Sequence, residues 1–413
     1  MFDRRTFSAF FAATLTAPRT AWSQTVTGKT VYYAAVGPEL CVYDVDLGEA
    51  ALHKRGAVTL PANVQYAWPH PSKRYFYVVS SSGGPGIAGT THVASAFRIE
   101  PSGALTPHGE PRSLPSRPIH CSVDRAGEYL LIAYNAPSNV TVHRLNGDGT
   151  IGDPVQQREK LDTGIYAHQV LTTPANRTAI LVTRGNNAEG GKPEDPGALK
   201  LYGFKDGLLS NIASIAPGTG HGFGPRHLDF HPREPWVYVS IERQNQLYAY
   251  KLDADGGIAR DPLFVKNTLA DPKNVQPAQG AGPIHAHPNG RFVYVTNRNQ
   301  GEVDFQGKKV FDGGENNVAV FEIDQRSGEP TLIQNIEGHG IHLRNFGIDP
   351  SGCLIVASSI RPIAVRDGNE IKTLTAGLMV YRVGDDGKLA FVRKYDVDTA
   401  KGQQFWSGMV TLG

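Results

Sequence analysis

Six copies of one strand–turn–strand pattern, a glycine- and proline-rich composition, and an incomplete unit at each end of the chain predict an all-β fold. The architecture they imply is a seven-bladed β-propeller, with four-stranded antiparallel blades around a central channel. The 413 residues include 46 Gly and 28 Pro but only 3 Met, and charged residues make up 19%. That balance favours many short strands joined by turns over helices. A formal net charge of +2 with no basic run predicts no nucleic-acid partner.

The first residues stand apart. Asp3-Arg4-Arg5-Thr6-Phe7 precedes a short apolar run over residues 10–15, and Ala21-Trp22-Ser23 offers small residues where a signal peptidase reads. This pattern is that of a twin-arginine export signal over residues 1–23, cut near Gln24. Residues 24–413 are then one exported propeller domain in the periplasm. No later stretch reaches the roughly 18 apolar residues of a membrane helix, so no membrane contact is expected after signal removal. Cys41, Cys121 and Cys353 show no C-x-x-C spacing, which argues against metal ligation through sulfur and for buried small hydrophobes.

The six copies are residues 67–80, 120–135, 168–185, 227–242, 285–298 and 345–359. Their turn residues, His70, Asp124, Thr173, His231, His287 and Asp349, lie 54, 49, 58, 56 and 62 residues apart. Each copy closes on another short alternating segment, such as residues 246–250, giving about four strands per unit. Two packed sandwiches would not repeat so evenly. The clearest copy, residues 222–246, reads as two strands around the turn His231-Pro232-Arg233-Glu234-Pro235. Such a hairpin returns Arg226 and Glu242 to one edge of the sheet.

A seventh blade has to be assembled from both ends. Residues 30–36 and 40–45 read as its inner and middle strands. Residues 378–383, 389–395 and 409–412 are expected to complete it, because pairing the two ends removes exposed sheet edges. Long Gly/Pro-rich inserts at 186–197, 216–224, 271–282, 299–316 and 360–370 are expected on one face of the disc, walling a pocket over the channel.

The innermost strand of each blade lines the channel. The matching repeat positions are read as His120, His168, His227, His285 and Asn345, with Asn135, Arg184, Glu242, Arg298 and Arg344 at neighbouring rims. Arg226, Arg298 and Arg344 would converge on a small volume and grip an anion bidentately. Glu242 is the one carboxylate among them; beside arginine it stays ionised and able to accept a proton from water. Three of the histidines could ligate zinc, but the guanidinium groups would repel the cation, so no metal is expected. No G-x-S-x-G, Walker loop or dinucleotide fingerprint is present.

The runs GPRHLDFHP, YVSIE, HPNGRFVYVTNR and LRNFGIDPSG resemble the recurring motifs of the seven-bladed propeller lactonases. That family includes propeller-type 6-phosphogluconolactonases and fungal carboxymuconate-lactonizing enzymes. The resemblance runs from about Thr30 to the C-terminus. It implies a channel-mouth site without metal or organic cofactor, with catalytic roles on His168, Arg226, Glu242 and Arg298. Arg344 and Asn345 match the family's R-N/H-F element, and His120 and Asn135 its V-H-S and Y-N elements; with His227 and His285 these are the expected substrate-binding positions. Thr183-Arg184-Gly185 stands where many members carry D-L-G, and residues 299–316 stretch a usually short hairpin.

The expected activity is hydrolysis of a small anionic lactone, since an exported relative meets a sugar-acid lactone or another anionic lactone rather than a cytoplasmic sugar phosphate. Glu242 would activate water, Arg226 and Arg298 would hold the anion and offset charge on the carbonyl oxygen, and His168 would help protonate the leaving alkoxide. The reverse reaction, a lactonizing cycloisomerase, uses the same charges. A non-catalytic periplasmic binding or scaffold propeller is the reading from another class, because a fold does not dictate a function.

Overall fold

The computed structural model describes residues 28–412, so the export signal expected over residues 1–23 lies outside the described residues. Six four-stranded antiparallel sheets and a seventh of five strands follow one another as blades 1 to 7. Their innermost strands are, in order, Gln404–Thr411, Asn63–Pro69, Pro118–Val123, Ala167–Thr172, Pro225–Phe230, Gly280–Ala286 and Leu343–Ile348. A 3-10 turn at Pro217–Gly220 is the one helical element among the described residues.

Burial follows from position in the blade. Second strands such as Tyr129–Asn135 and Phe292–Arg298 are buried along their whole length because a neighbouring blade covers each face. They therefore read as continuous apolar runs instead of alternating ones. Outermost strands such as Leu208–Ile215 face solvent along most of their length. The core lies between blades: Tyr238 and Leu247 of blade 5 pack with Val293 and Val295 of blade 6.

The repeat turns also carry bonds from one blade to the next. His70, His231 and His287 place Nε2 on the carbonyls of Gly127, Gly290 and Gly352, at 2.9, 2.7 and 2.9 Å, each in the following blade. In His231, Nδ1 accepts from the Glu234 amide at 2.8 Å, so Nε2 carries the proton and donates. Gly290 has φ +72°, and a Cβ there would lie 2.5 Å from His231 Nε2, so the close approach itself requires glycine. Farther from the axis, Tyr33, Tyr77, Tyr238 and Tyr294 donate to the carbonyls of Gly103, Gly149, Gly328 and Gly387 at 2.8, 2.9, 3.1 and 2.9 Å.

Three expectations are corrected. Residues 378–383 and 389–395 do not join the first blade: Gly377–Val383 pairs with Leu354–Ser359 and Leu389–Asp396 in blade 7. The inserted hairpin Ile363–Asp367/Glu370–Leu374 separates the second and third strands of blade 7 and hides their continuity in sequence. Only Gln404–Thr411 crosses to Thr30–Val36, and it takes the innermost place, which makes Thr30–Val36 a second strand. Of the three free cysteines, Cys41 and Cys121 are buried, but Cys353 is exposed because it sits in the turn before its strand. The third correction concerns the channel positions and depends on the site geometry below.

Replacing His231 with Ala removes the donor to Gly290 and the acceptor for Glu234 from a buried turn. We expect a loss of roughly 1–3 kcal/mol in unfolding free energy, read as a lowered denaturation midpoint. An unchanged midpoint would show that this bond does not hold blades 5 and 6 together.

Candidate active site

One end of the channel opens into a cavity of about 410 Å³, within the usual range for small-molecule sites. Three rings of residues build it. The residue immediately before an innermost strand supplies Arg117, Tyr166, Gln279, His342 and Gln403. The ends of second strands, or the next residue, supply Asn135, Arg184, Glu242, Arg298 and Ile360. The third ring comes from β-bulges: pairing of innermost and second strands shifts register in every blade. The residues left unpaired include Ile119, His168, Arg226 and Arg344. A bulge re-aims its side chain, and Ile119, His168 and Arg344 reach the cavity in this way.

Glu242 is the centre of charge. Its backbone amide donates to the Gly224 carbonyl at 2.8 Å, continuing the blade 5 hairpin by one bond and setting the carboxylate above Arg226. Arg298 Nη2 donates to Oε1 at 2.6 Å, while Arg184 Nη1 lies 3.4 Å and Arg226 Nε 3.9 Å from Oε2. Burial alone would raise the Glu242 pKa; Arg298, Arg184 and Arg226 outweigh it and hold the group at about 2. The next blade is pressed against it: a Cβ on Gly280 would lie 3.1 Å from Glu242 Cγ. Arg298 is in turn fixed by donating through Nη1 to His342 Nε2 at 2.9 Å.

The remaining cations are arranged differently. Arg344 lies over the Phe405 ring, its guanidinium carbon 3.6 Å from the centroid, and Arg117 lies 5.7 Å from the same centroid. Burial first, then Arg298 and Arg117, lower Arg344 to about 9. Arg184 covers Tyr166 at 4.3 Å. Arg243 pairs outward with Glu194. Among the described residues Glu242 is the one carboxylate on the cavity wall.

Four histidines on and beneath the cavity wall are held uncharged. Burial, then the guanidinium of Arg226, pushes His168 and His227 well below their ordinary range and His120 to about 3. Burial, then Arg298, does the same to His342. Among the described residues His168 Nδ1, His120 Nε2 and His342 Nδ1 have no hydrogen-bond partner. No group of three or more His, Cys, Asp or Glu among the described residues could hold a metal ion.

The sequence-derived positions therefore separate by depth. His168, Glu242, Arg298, Asn135 and Arg344 line the cavity. Arg226, only 2% exposed, lies under the floor and meets Glu242 from below. His120 and His227 sit deeper, with His227 ring to ring with His168 at 5.1 Å and with His120 at 6.2 Å. Asn345 is buried at that level, donating to the Ser407 carbonyl at 3.1 Å and tying blade 7 to blade 1. His285 is at the opposite mouth, Nδ1 3.4 Å from Asp229 Oδ2 and against Phe346.

This is the third correction: the five channel positions are not equivalent. Counted from the turn residues, His120, His227 and Asn345 share one layer, His168 is the bulge residue above it, and His285 lies two residues nearer its turn. The bulge falls five residues before the turn in blades 3, 4, 5 and 7, so His168 is matched by Ile119, Arg226 and Arg344, while Gln169 holds the layer of His120, His227 and Asn345. Arg117, Tyr166, His342, Gln279 and Phe405 escaped the sequence reading. The signal was available in outline, since the first four directly precede innermost strands. Four of the five inserts reach the cavity, through Asn187, Pro277, Gln300 and Ile360; residues 216–224 do not.

Comparison with known proteins adds an independent line. The sequence profile of the family described as "Lactonase, 7-bladed beta-propeller" matches residues 30–362. A 6-phosphogluconolactonase of Bacillus subtilis is 29% identical over 322 residues, covering 77% of this chain and 83% of that one. Another from Pectobacterium atrosepticum is 28% identical over 305 residues, covering 73% and 79%. Among solved structures, the periplasmic gluconolactonase of Pseudomonas aeruginosa superposes with a TM-score of 0.68 over 93% of this chain and 99% of that one. At 19% identity that likeness is one of fold.

The buried charges predict how stability depends on pH. His120, His168, His227 and His342 titrate below the ordinary 6.5, and Glu242 below the ordinary 4.5. In each case the unfolded chain takes up the proton first as pH falls, so acid removes stability. We expect a level Tm above about pH 7, a decline beginning below 6.5, and uptake of several protons on unfolding. A Tm that stays level from about pH 7 to 5 would contradict the neutral-imidazole assignment.

Proposed function

The chain belongs to the seven-bladed β-propeller lactonase family, and on that premise we propose that it is a hydrolase that opens a sugar-acid or other anionic lactone at the channel mouth. The observation that carries this reading is Glu242: one half-buried, ionised carboxylate held among three guanidinium groups on a cavity wall. Relatives whose names state 6-phosphogluconolactonase activity support the reaction class. The Arg4-Arg5 segment supports a periplasmic setting, in which the Pseudomonas aeruginosa neighbour is also described. No helix among the described residues is long and apolar enough to cross a membrane.

In this mechanism Oε1 stays bound to Arg298, and Oε2, with its longer contacts, receives the proton of the attacking water. A carboxylate at about 2 is a weak base, so the proton moves only as the water oxygen bonds to the carbonyl carbon and becomes acidic. The reverse transfer is then easy: protonated Glu242 is a strong acid and delivers the proton to the departing ring oxygen. Most of the acceleration falls to the arginines, which offset charge developing on the carbonyl oxygen. His168, kept neutral, contributes a hydrogen bond to the reacting oxygens instead of the proton expected of it from sequence. Arg226 acts through Glu242, since its guanidinium is buried beneath the cavity floor.

The test is hydrolysis of a panel of aldonolactones, corrected for spontaneous opening, by the mature protein and by Glu242→Gln. We expect the variant to lose roughly 10²–10⁴-fold in kcat/KM. Turnover that survives the substitution would remove Glu242 from the chemistry. Tight binding of sugar acids with no turnover of any member would favour the non-catalytic binding propeller.

A further inference from the structure

The cavity's positive charge is divided into two unlike halves. Arg298, Arg184 and Arg226 share Glu242, so that half carries its own counter-ion. Arg117 and Arg344, gathered on Phe405, make no ion pair with any described residue. Arg117 is only 6% exposed, and its Nη2 has no partner among the described residues; neither has Arg344 Nε. Yet Arg117 is held in place: Gln65 Oε1 accepts from its Nε at 2.9 Å, and the Gln65 amide is itself anchored by donating to the Asn63 carbonyl at 3.1 Å. A buried and a half-buried like charge kept together without a counter-ion are costly. After burial and Arg298, Arg117 contributes to the lowered affinity of Arg344 for its proton.

We propose that Arg117 and Arg344, with Phe405, form a separate subsite for an oxyanionic group of the substrate remote from the lactone carbonyl. This rests on the lactonase reading of the cavity and specifies the substrate: a lactone carrying a second, charged end group, carboxylate or phosphoryl. Guanidinium forks suit either group, because both present paired oxygens. The Phe405 face offers an apolar surface for the carbon chain between the two ends. Attachment at this subsite turns the carbonyl toward Glu242 in the other half. Arg117 is then a specificity-determining residue that lies outside the family motifs found in this sequence.

Three lactones differing only at the far end test it: gluconolactone, its 6-phosphate and a glucarate lactone bearing a free carboxylate. Arg117→Gln is expected to raise KM for the charged lactones by roughly 10-fold or more, with a markedly smaller change for gluconolactone. Comparing the two charged lactones shows which end group the subsite takes. Arg117→Lys, which keeps the charge but loses the fork, should recover part of the effect and serves if the Gln variant does not fold. Equal effects on all three lactones, or none, would overturn the subsite. If no lactone is turned over, calorimetric binding of gluconate 6-phosphate, glucarate and gluconate separates the two claims. A preference for charged ligands that Arg117→Gln abolishes upholds the subsite while the catalytic reading falls; equal binding in both proteins overturns the subsite itself.

Discussion

Everything at the channel mouth depends on the pairing of Gln404–Thr411 with Thr30–Val36. This contact closes the ring and removes two sheet edges that would otherwise be open. It also completes the cavity, because Phe405 comes from the closing strand and Gln403 from the residue before it, and both face residues contributed by the other blades. The disc cannot open at its seam without dismantling one wall of the site. Function and fold are joined at a single stretch of backbone hydrogen bonds.

With the ring closed, the blades must be stiff enough to hold like charges together. Six arginines crowd one end of the channel with a single carboxylate on the cavity wall, an arrangement that favours expansion. The blade-to-blade bonds from His70, His231, His287 and the tyrosines oppose it by locking blade 2 to 3, 5 to 6 and 6 to 7 at two radii, and blade 1 to 2 at one. Histidine thus serves two purposes here. In the turns it joins one blade to the next through Nε2; on and beneath the cavity wall it is a neighbour of the arginines that burial and their charge keep from adding a further one.

Much of the architecture was legible in the sequence because the turn chemistry repeats. His-Pro, Asp-Arg-Ala-Gly and Asp-Pro-Ser-Gly turns mark where an innermost strand ends, and their near-even spacing counts blades. Legibility failed where positions were matched one residue out of step or where a hairpin was inserted. His168 stands one residue farther from its turn than His120 and His227, at the bulge, and Gln169 holds their layer; the hairpin within blade 7 moved its outer strands toward the wrong blade. The export segment rests on the sequence alone, as it lies outside the described residues.

Arg226 and Glu242 could be brought together from sequence because one short hairpin joins them, and local hydrogen bonding dictates its register. Sequence by itself therefore determined the all-β ring, the number of blades and this central pair. Which arginines share Glu242, which stand without a counter-ion, and which histidines face the cavity were decided only by tertiary structure. Arg117, Arg344 and Phe405 lie in three different blades, far apart along the chain. Charges so separated in sequence interact only after the ring has closed, and the depth of each follows from whether it precedes an innermost strand, ends a second strand or sits in a bulge.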